Sequence, residues 1–194
     1  MTGQASQSDT GRVDTADSAE RQEGIRRFTT VYDLAEDRLK LSLELKDGET
    51  KQLWLTRRLM ERVIPELVKI IDRHAQRRAM QQPSPTSVDN FQRKTQMQAL
   101  GKITPQQAVV ADRPDESVLV SAITLRQGPQ GLSLIFLDGS KAPCVNVPFN
   151  EPLLRQWLVV LHQNYTVAGW KDAVWPDWMS LKGGEDTPGA LRLN

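Results

Sequence analysis

The sequence predicts an α+β fold made of two β-β-β-α units, each a three-stranded antiparallel meander followed by one helix, arranged with pseudo-twofold symmetry. Residues 28–71 and 120–163 show the same order of patterns, and each range holds an Asp-Gly pair between its second and third strand patterns. Each range also ends in a long segment with apolar residues at helical spacing. Because self-similarity along a chain indicates repeated structural units, these observations favour one architecture used twice.

The first unit contains the clearest strand pattern of the chain. Leucines at every second position of 39–45 alternate with polar residues, which is typical of a strand with one buried face. Asp47-Gly48 favours a tight hairpin turn after this strand. Thr56 is placed to cap a helix whose apolar residues recur on one face. Pro65 lies well inside this helix and predicts a kink or a split there.

The second unit is apolar on both faces of its central strand. Leu132, Leu134 and Phe136 point one way, whereas Ile135 and Leu137 point the other. Such a strand is expected to be covered on both sides, by another element or by another chain. Asn150 is placed to cap the helix that follows, directly before its apolar stripe.

The ends and the middle of the chain differ in composition from the two units. Residues 1–24 are polar and acidic with almost nothing to bury, which predicts a disordered tail. The first strand of the second unit is predicted over 118–125. The predicted organisation is a tail at 1–24, the first unit at 25–78, a connector with a short polar helix at 79–116, the second unit with a tryptophan-rich end at 117–181 and a frayed C-terminus at 182–194.

Bulk properties favour a cytoplasmic protein with no membrane contact. The formal net charge of +1 gives no global attraction to nucleic acid or membrane. The single cysteine, Cys144, excludes an internal disulfide framework. The first residues do not follow the pattern of a secretory signal. No apolar run approaches the roughly 18 residues that span a bilayer.

The sequence predicts no catalytic residue, no metal site and no cofactor. Its two histidines, His74 and His162, lie far apart, and a zinc site usually needs three or four protein ligands. Cys144 lies inside a predicted strand, where a nucleophile would need a base or a helix terminus beside it. An enzyme whose site is assembled between the two units is the third alternative, after the two functions described below.

A basic helix face is the main chemical signal, because clustered cations are what phosphate recognition requires. Glu61, Glu66 and Asp72 lie among the cations and can pair with them, which would make the face an ordinary solvated one. Phe91 is the only aromatic residue nearby, so stacking platforms for single strands are missing. The predicted nucleic-acid-binding residues are Arg57, Arg58, Arg62, Arg73, Arg77, Arg78, Arg93 and Lys94.

The tryptophans are the main interaction signal. Trp157 lies on the apolar stripe of its helix and is expected in the core. Trp54 points away from the leucine face of its strand pair. Trp170, Trp175 and Trp178 follow the last helix, where they either cap the core or stay exposed as binding anchors. These last three and Trp54 are the predicted partner-binding residues.

Taken with the absence of catalytic motifs, these patterns favour a non-enzymatic cytoplasmic interaction protein. It would act as an adaptor, an assembly factor or a subunit of a larger complex, binding a protein partner or forming a homodimer. The alternative is a nucleic-acid-associated protein that uses the basic helix and the connector.

Overall fold

The computed structural model describes residues 24–81, 87–101, 107–128 and 131–179. These residues form an α+β fold with two sheets and three α-helices, which confirms the predicted class. The predicted tail, apart from Gly24, and the predicted frayed C-terminus lie outside the described residues.

The order β-β-β-α occurs twice along the chain, with one additional helix and one very short strand between the two occurrences. The strands are β1 (Ile25–Asp33), β2 (Arg38–Leu45), β3 (Thr50–Thr56), β4 (Val118–Leu119), β5 (Ala122–Gly128), β6 (Gly131–Leu137) and β7 (Pro143–Phe149). The helices are α1 (Arg57–Met80), α2 (Val88–Leu100) and α3 (Glu151–Ala168). Three-residue 3-10 turns lie at Pro114–Glu116, Asp172–Val174 and Asp177–Met179.

The first sheet has the strand order β1-β2-β3-β4, and only β4 runs parallel to its neighbour. Leu41 in β2 lies between Thr30 in β1 and Leu53 in β3, so the alternating leucines share one face. These leucines are 0–2% exposed, and Leu39, Leu41 and Leu43 belong to the main core. The predicted hairpin turn is present: Gly48 has a φ of 90° and donates its N–H to the carbonyl of Leu45.

The opposite face of the first sheet is covered by segment 107–112, which belongs to the predicted connector. The N–H of Val109 donates to Oγ1 of Thr29 at 2.9 Å. The N–H of Asp112 donates to Oγ1 of Thr50 at 2.8 Å. The polar face is therefore covered around Thr29 and Thr50, whereas Val31, on the same face of β1, is 37% exposed.

Glu44 is a buried carboxylate on this covered polar face. It accepts hydrogen bonds from Arg26 at 2.7 Å and from Nε of Arg27. The hydrogen bond from Arg27, opposed by desolvation, holds the pKa of Glu44 below its usual value. A carboxylate with two guanidinium partners can be buried without leaving an isolated charge.

The second sheet has the order β5-β6-β7 and is antiparallel throughout. Leu134 lies between Leu125 and Val147, and its side chain is fully buried. On the opposite face of β6, Ile135 and Leu137 are only half-buried. The prediction that both faces are apolar is confirmed by the direction of the side chains, but the second face stays partly open.

Segment 118–125 is divided between the two sheets, so the prediction of one strand there is wrong. The N–H of Val120 donates to the carbonyl of Trp54 in the first sheet at 3.0 Å. The N–H of Ser121 donates to the carbonyl of Leu137 in the second sheet at 2.8 Å. The chain therefore leaves the first sheet and enters the second between two adjacent residues. Both backbone N–H groups keep a partner, as buried N–H groups require.

Helix α1 continues through Pro65, so of the two predicted alternatives the split is wrong and the kink stays a prediction. Oγ1 of Thr56 accepts from the N–H of Leu59 at 3.2 Å, as the capping pattern predicts. Proline removes one hydrogen bond from a helix. Ile64 and Leu67, on either side of it, are fully buried, and this apolar packing holds the helix together.

Helix α3 packs on β1 of the first unit as well as on β7 of its own unit. Nε1 of Trp157 donates to Oγ1 of Thr30 at 3.0 Å. The rings of Phe28 and Phe149 lie 6.4 Å and 5.1 Å from the ring of Trp157. The two units therefore contribute to one shared core. The pseudo-twofold arrangement and the predicted domain bounds stay predictions.

Candidate interaction surfaces

The three tryptophans after α3 are buried within the chain. Trp170, Trp175 and Trp178 are 6%, 9% and 7% exposed. The ring of Tyr165 meets those of Trp170 and Trp175 edge-on at 5.0 Å and 5.3 Å. Their predicted contact with a partner stays a prediction, and in this conformation it could use only the small area that they leave exposed.

Trp54 lies on the covered polar face of the first sheet and is half-buried. Its Nε1 donates to Oγ of Ser117 at 2.8 Å. The Nζ atom of Lys40 lies 5.8 Å from the centre of its ring, within the range of a cation–π contact. Trp54 is thus separated from the other three tryptophans, since it faces the connector and they face the core.

The residues predicted to bind nucleic acid divide into paired and unpaired cations. Arg57 pairs with Glu61 at 2.7 Å, and Arg78 lies 3.4 Å from Glu151. The others are exposed, and no carboxylate of the described residues lies within 4 Å of them. On α1 the unpaired cations are Arg58, Arg62, Arg73 and Arg77, and on α2 they are Arg93 and Lys94.

The four unpaired arginines of α1 lie along one stripe of the helix. At 3.6 residues per turn they fall within an arc of about 100°, and Arg58 and Arg77 are about 29 Å apart along the axis. Lys69 lies on the same stripe and pairs with Glu66 at 2.6 Å. This stripe therefore places four free arginines on one side of α1.

A polar network around Arg155 lies between the three helices. Arg155 is completely buried, and its Nη2 atom donates to Oε1 of Gln92 in α2 at 2.6 Å. Its Nη1 atom makes only a long contact, 3.5 Å, to Oε1 of Gln96. Its Nε atom donates to Oε1 of Glu151 at 3.0 Å. Burial lowers the pKa of Arg155, although the Glu151 carboxylate opposes that effect.

Among the described residues Glu151 is the only carboxylate paired with Arg155, and one of its two oxygens has no hydrogen bond. Its Oε2 atom is buried and has no hydrogen-bond partner among the described residues. The nearest cations are Nη1 of Arg78 at 3.4 Å and Nδ1 of His74 at 3.9 Å. A cleft of about 210 Å³ opens here between the helices, with Thr95 of α2 in its wall.

The Arg155 network is absent from the sequence predictions because its members are distant in the chain. Gln92 and Gln96 are 63 and 59 positions from Arg155. A usable signal does exist: Arg155 falls between Leu154 and Leu158 on the apolar side of α3, where a charge must find a partner.

The outer side of the second sheet is the remaining candidate surface. Besides the half-buried Ile135 and Leu137 of β6, Leu119 is 47% exposed where the chain passes between the sheets. β5 pairs with β6 on one edge, and no other described strand pairs with its second edge. β7, on the opposite side of the sheet, carries Pro143 and Pro148, which lack the N–H that a further strand would need.

The two histidines have different surroundings in the described residues, because His74 lies beside the network of Glu151 and Arg155 and His162 does not. His162 lies against the ring of Trp175 at 5.0 Å, far from the Glu151 side chain that faces His74. Burial raises the pKa of the Cys144 thiol, which disfavours the thiolate. Within the described ranges no three His, Cys, Asp or Glu side chains approach closely enough to hold a metal ion, and none of the helices is long and apolar enough to span a membrane.

Comparison of the chain with protein-family models, with curated proteins and with solved structures finds no match.

Proposed function

We propose that this chain is a non-enzymatic interaction protein of the cytoplasm that binds a protein partner as an adaptor, an assembly factor or a subunit of a larger complex. The observation that carries the proposal is the open outer side of the second sheet. There, Ile135 and Leu137 stay half-exposed beside the unpaired edge of β5. The pseudo-twofold relation of the two units is part of the same proposal, supported by their recurring element order.

The edge of β5 favours a partner that adds a strand. An unpaired strand edge offers a row of N–H and C=O groups to an incoming chain, and apolar side chains on the adjoining face add affinity. β5 contains no proline, whereas the opposite edge strand carries two. A second copy of the chain can supply such a strand as well as a different protein can, so a homodimer belongs to the same proposal.

Affinity co-purification of the tagged full chain from its native cells tests the proposal. Ile135→Glu places a charge on the proposed surface, and Val31→Glu is the matched control, because Val31 is a similarly exposed β-branched residue on the first sheet. We expect a nuclease-resistant partner, or a homodimer measured by light scattering, that is lost in Ile135→Glu and kept in Val31→Glu. Equal retention in both variants, or a monomer without any partner, would contradict the proposal.

A second candidate function is phosphate-backbone binding to nucleic acid, favoured by the stripe of unpaired arginines on α1. Phosphate contacts release counterions, so the observed affinity falls with salt in proportion to the number of contacts. Four contacts predict a slope of about −3.6 in log K against log salt, which is roughly a hundredfold loss between 50 and 200 mM. With no aromatic side chain on the stripe, little preference between sequences is expected.

A mixed-sequence DNA duplex titrated at several salt concentrations tests this candidate. Arg73→Glu with Arg77→Glu should abolish binding. Arg126→Glu with Lys171→Glu makes the same change in net charge at exposed positions elsewhere and should leave most of the binding intact. Salt-insensitive binding, or equal loss in both double variants, would remove this candidate.

A further inference from the structure

We propose that α2 is a releasable cover over a helix-binding groove formed by α1, α3 and the turn Asp177–Met179. In the released state the groove accepts an amphipathic helix that presents a carboxylate to Arg155. The groove is separate from the outer side of the second sheet, so this inference stands independently of the surface proposed above.

The inward face of α2 is unusually polar for a docked helix. A surface helix normally packs through apolar residues at i, i+4 and i+7. In α2 these inward positions are Gln92, Gln96 and Ala99, which are the buried residues of the helix. Met97, by contrast, is 69% exposed. Release of α2 therefore exposes little apolar side chain from α2 itself.

Hydrogen bonds attach α2 to α1 and α3, in addition to its contact with the turn that carries Trp178 and Met179. Nε2 of Gln92 donates to Oδ1 of Asp72 in α1 at 2.7 Å. Nε2 of Gln96 donates to the carbonyl of Arg155 at 3.1 Å, and Nε2 of Gln156 donates to the carbonyl of Ala99 at 2.8 Å. Water replaces each of these bonds when the helix leaves, so the neutral bonds contribute little net stability, whereas the charge-assisted bond between Gln92 and Asp72 contributes more.

The buried charge under α2 also favours release. A guanidinium removed from water loses a large hydration free energy, which a single ion pair offsets only in part. Among the described residues Arg155 has Glu151 as its one ionic partner, and Oε2 of Glu151 is buried without a hydrogen bond, 3.4 Å from Nη1 of Arg78. When α2 leaves, water reaches both groups. The closed and open states are therefore expected to differ by much less than the free energy of global unfolding.

The floor of the groove has the composition of a helix-binding site. α2 contacts the turn that carries Trp178 and Met179, which are 7% and 4% exposed in the closed state. The guanidinium of Arg155 lies 5.7 Å from the ring of Trp178. Tryptophan, methionine and arginine are enriched where a partner docks, and helix-in-groove contacts use such a floor.

The charge of the groove indicates which helix it accepts. Nη1 of Arg155 has only the 3.5 Å contact to the neutral amide of Gln96. A carboxylate at that position would form a charge-assisted hydrogen bond, about twice as strong as a neutral one. An acidic side chain there, with apolar neighbours toward Trp178, is thus the feature that lets a partner helix displace α2.

Hydrogen exchange of the full chain tests the release of α2. In the wild type we expect α2 amides to exchange by local opening, at least tenfold faster than the buried amides of α1 and α3. Gln96→Glu loses the bond from Nε2 to the carbonyl of Arg155 but gains a charge-assisted bond to the guanidinium, so it should slow the exchange of α2 several-fold. Gln98→Glu, the same change on the exposed side of α2, should leave the exchange unchanged. The double change Gln92→Ala and Gln96→Ala should speed it about tenfold.

A labelled peptide of residues 87–101 carrying Gln96→Glu tests the occupant. This peptide should bind the double alanine chain at least tenfold more tightly than it binds the Gln96→Glu chain. It should also bind the double alanine chain more tightly than a peptide that retains Gln96 does. If the double variant fails to fold, the wild type and the Gln96→Glu chain supply the same comparison. Exchange of α2 only with global unfolding, indistinguishable Gln96→Glu and Gln98→Glu chains, or equal affinity of both peptides would overturn the proposal.

Discussion

The first unit, β1–β3 with α1, and the second unit, β5–β7 with α3, have the same order of elements but meet solvent differently. In the first sheet Ser42 and Glu44, on the polar face of β2, are buried under segment 107–112. In the second sheet Ile135 and Leu137, on the corresponding face of β6, stay half-exposed although they are apolar. The connector, and not the hydrophobic pattern of the strand, decides which faces are covered.

The helices differ in the same way. α1 carries its free arginines on the solvent side, whereas α3 carries Arg155 on its inner side, with no exposed surface at all. Arginine thus occupies both exposed and fully buried positions in this protein, and its contacts depend on the residues that the rest of the chain places beside it. Substitutions in each unit measure how much these contacts contribute to the free energy of unfolding.

The largest effect is expected for Trp157→Ala, which removes the residue that joins α3 to the first sheet. Trp157 is 1% exposed and contacts Phe28, Phe149 and Thr30. We expect the free energy of unfolding in urea to fall by about 3–5 kcal/mol. Trp157→Phe keeps most of the packing and should lose clearly less. A loss below about 1 kcal/mol for the alanine variant would mean that the two units do not share their core.

A pH-dependent effect is expected for Glu44→Gln. The folded-state pKa of Glu44 lies below its ordinary value of 4.5, so its stabilising contribution is present above that pH and is lost as the pH falls through the folded pKa. The midpoint temperature of thermal unfolding should therefore fall less steeply from pH 7 to pH 3 in the variant than in the wild type. Glu49→Gln, in the exposed turn before β3, is the control. Parallel pH profiles of the wild type and Glu44→Gln would contradict the role of the arginine pair.

Equal effects in the two units are expected at the helix caps. Thr56 and Asn150 each accept from the N–H three residues later, at 3.2 Å and 2.9 Å. Alanine at either position should lower the free energy of unfolding by about 1 kcal/mol. Chemical denaturation of both variants measures this. If alanine lowers the free energy of unfolding at only one of the two caps, the two units have the same order of elements but different local energetics.

The smallest effect is expected on the outer side of the second sheet. Ile135→Ala should cost less than about 1 kcal/mol in the isolated chain, whereas Leu134→Ala, its fully buried neighbour, should cost about 2–5 kcal/mol. The same denaturation experiment measures both. If Ile135→Ala is as costly as Leu134→Ala in the purified protein, that face is already covered in solution, for example by a second copy of the chain.

The sequence predicts what depends on neighbours in the chain. The leucine alternation of β2, the turn at Gly48 and the caps Thr56 and Asn150 are all local signals, and the structure confirms them. The division of 118–125 is not local, because it depends on which strands lie on either side of Val120. The continuity of α1 through proline likewise depends on packing from elsewhere in the chain.

The candidate sites are less predictable for the same reason. The sequence leaves open whether Trp178 caps the core or stays exposed as an anchor, because its burial depends on the rest of the chain, and in the structure it is buried. The network around Arg155 joins Asp72, Gln92 and Glu151 from three helices, and no spacing rule connects them. Only the placement of an arginine on an apolar stripe hints at it.

The contact between Trp157 and Thr30 also has a consequence for synthesis on the ribosome. The two residues are 127 positions apart, so the β1 side of the first sheet lacks its covering helix until α3 has been translated. At a synthesis rate of about 5–20 residues per second, α3 is completed on the order of ten seconds after the leucines of β2. During this interval a nascent chain of this protein is expected to be a substrate for chaperones that hold exposed strands.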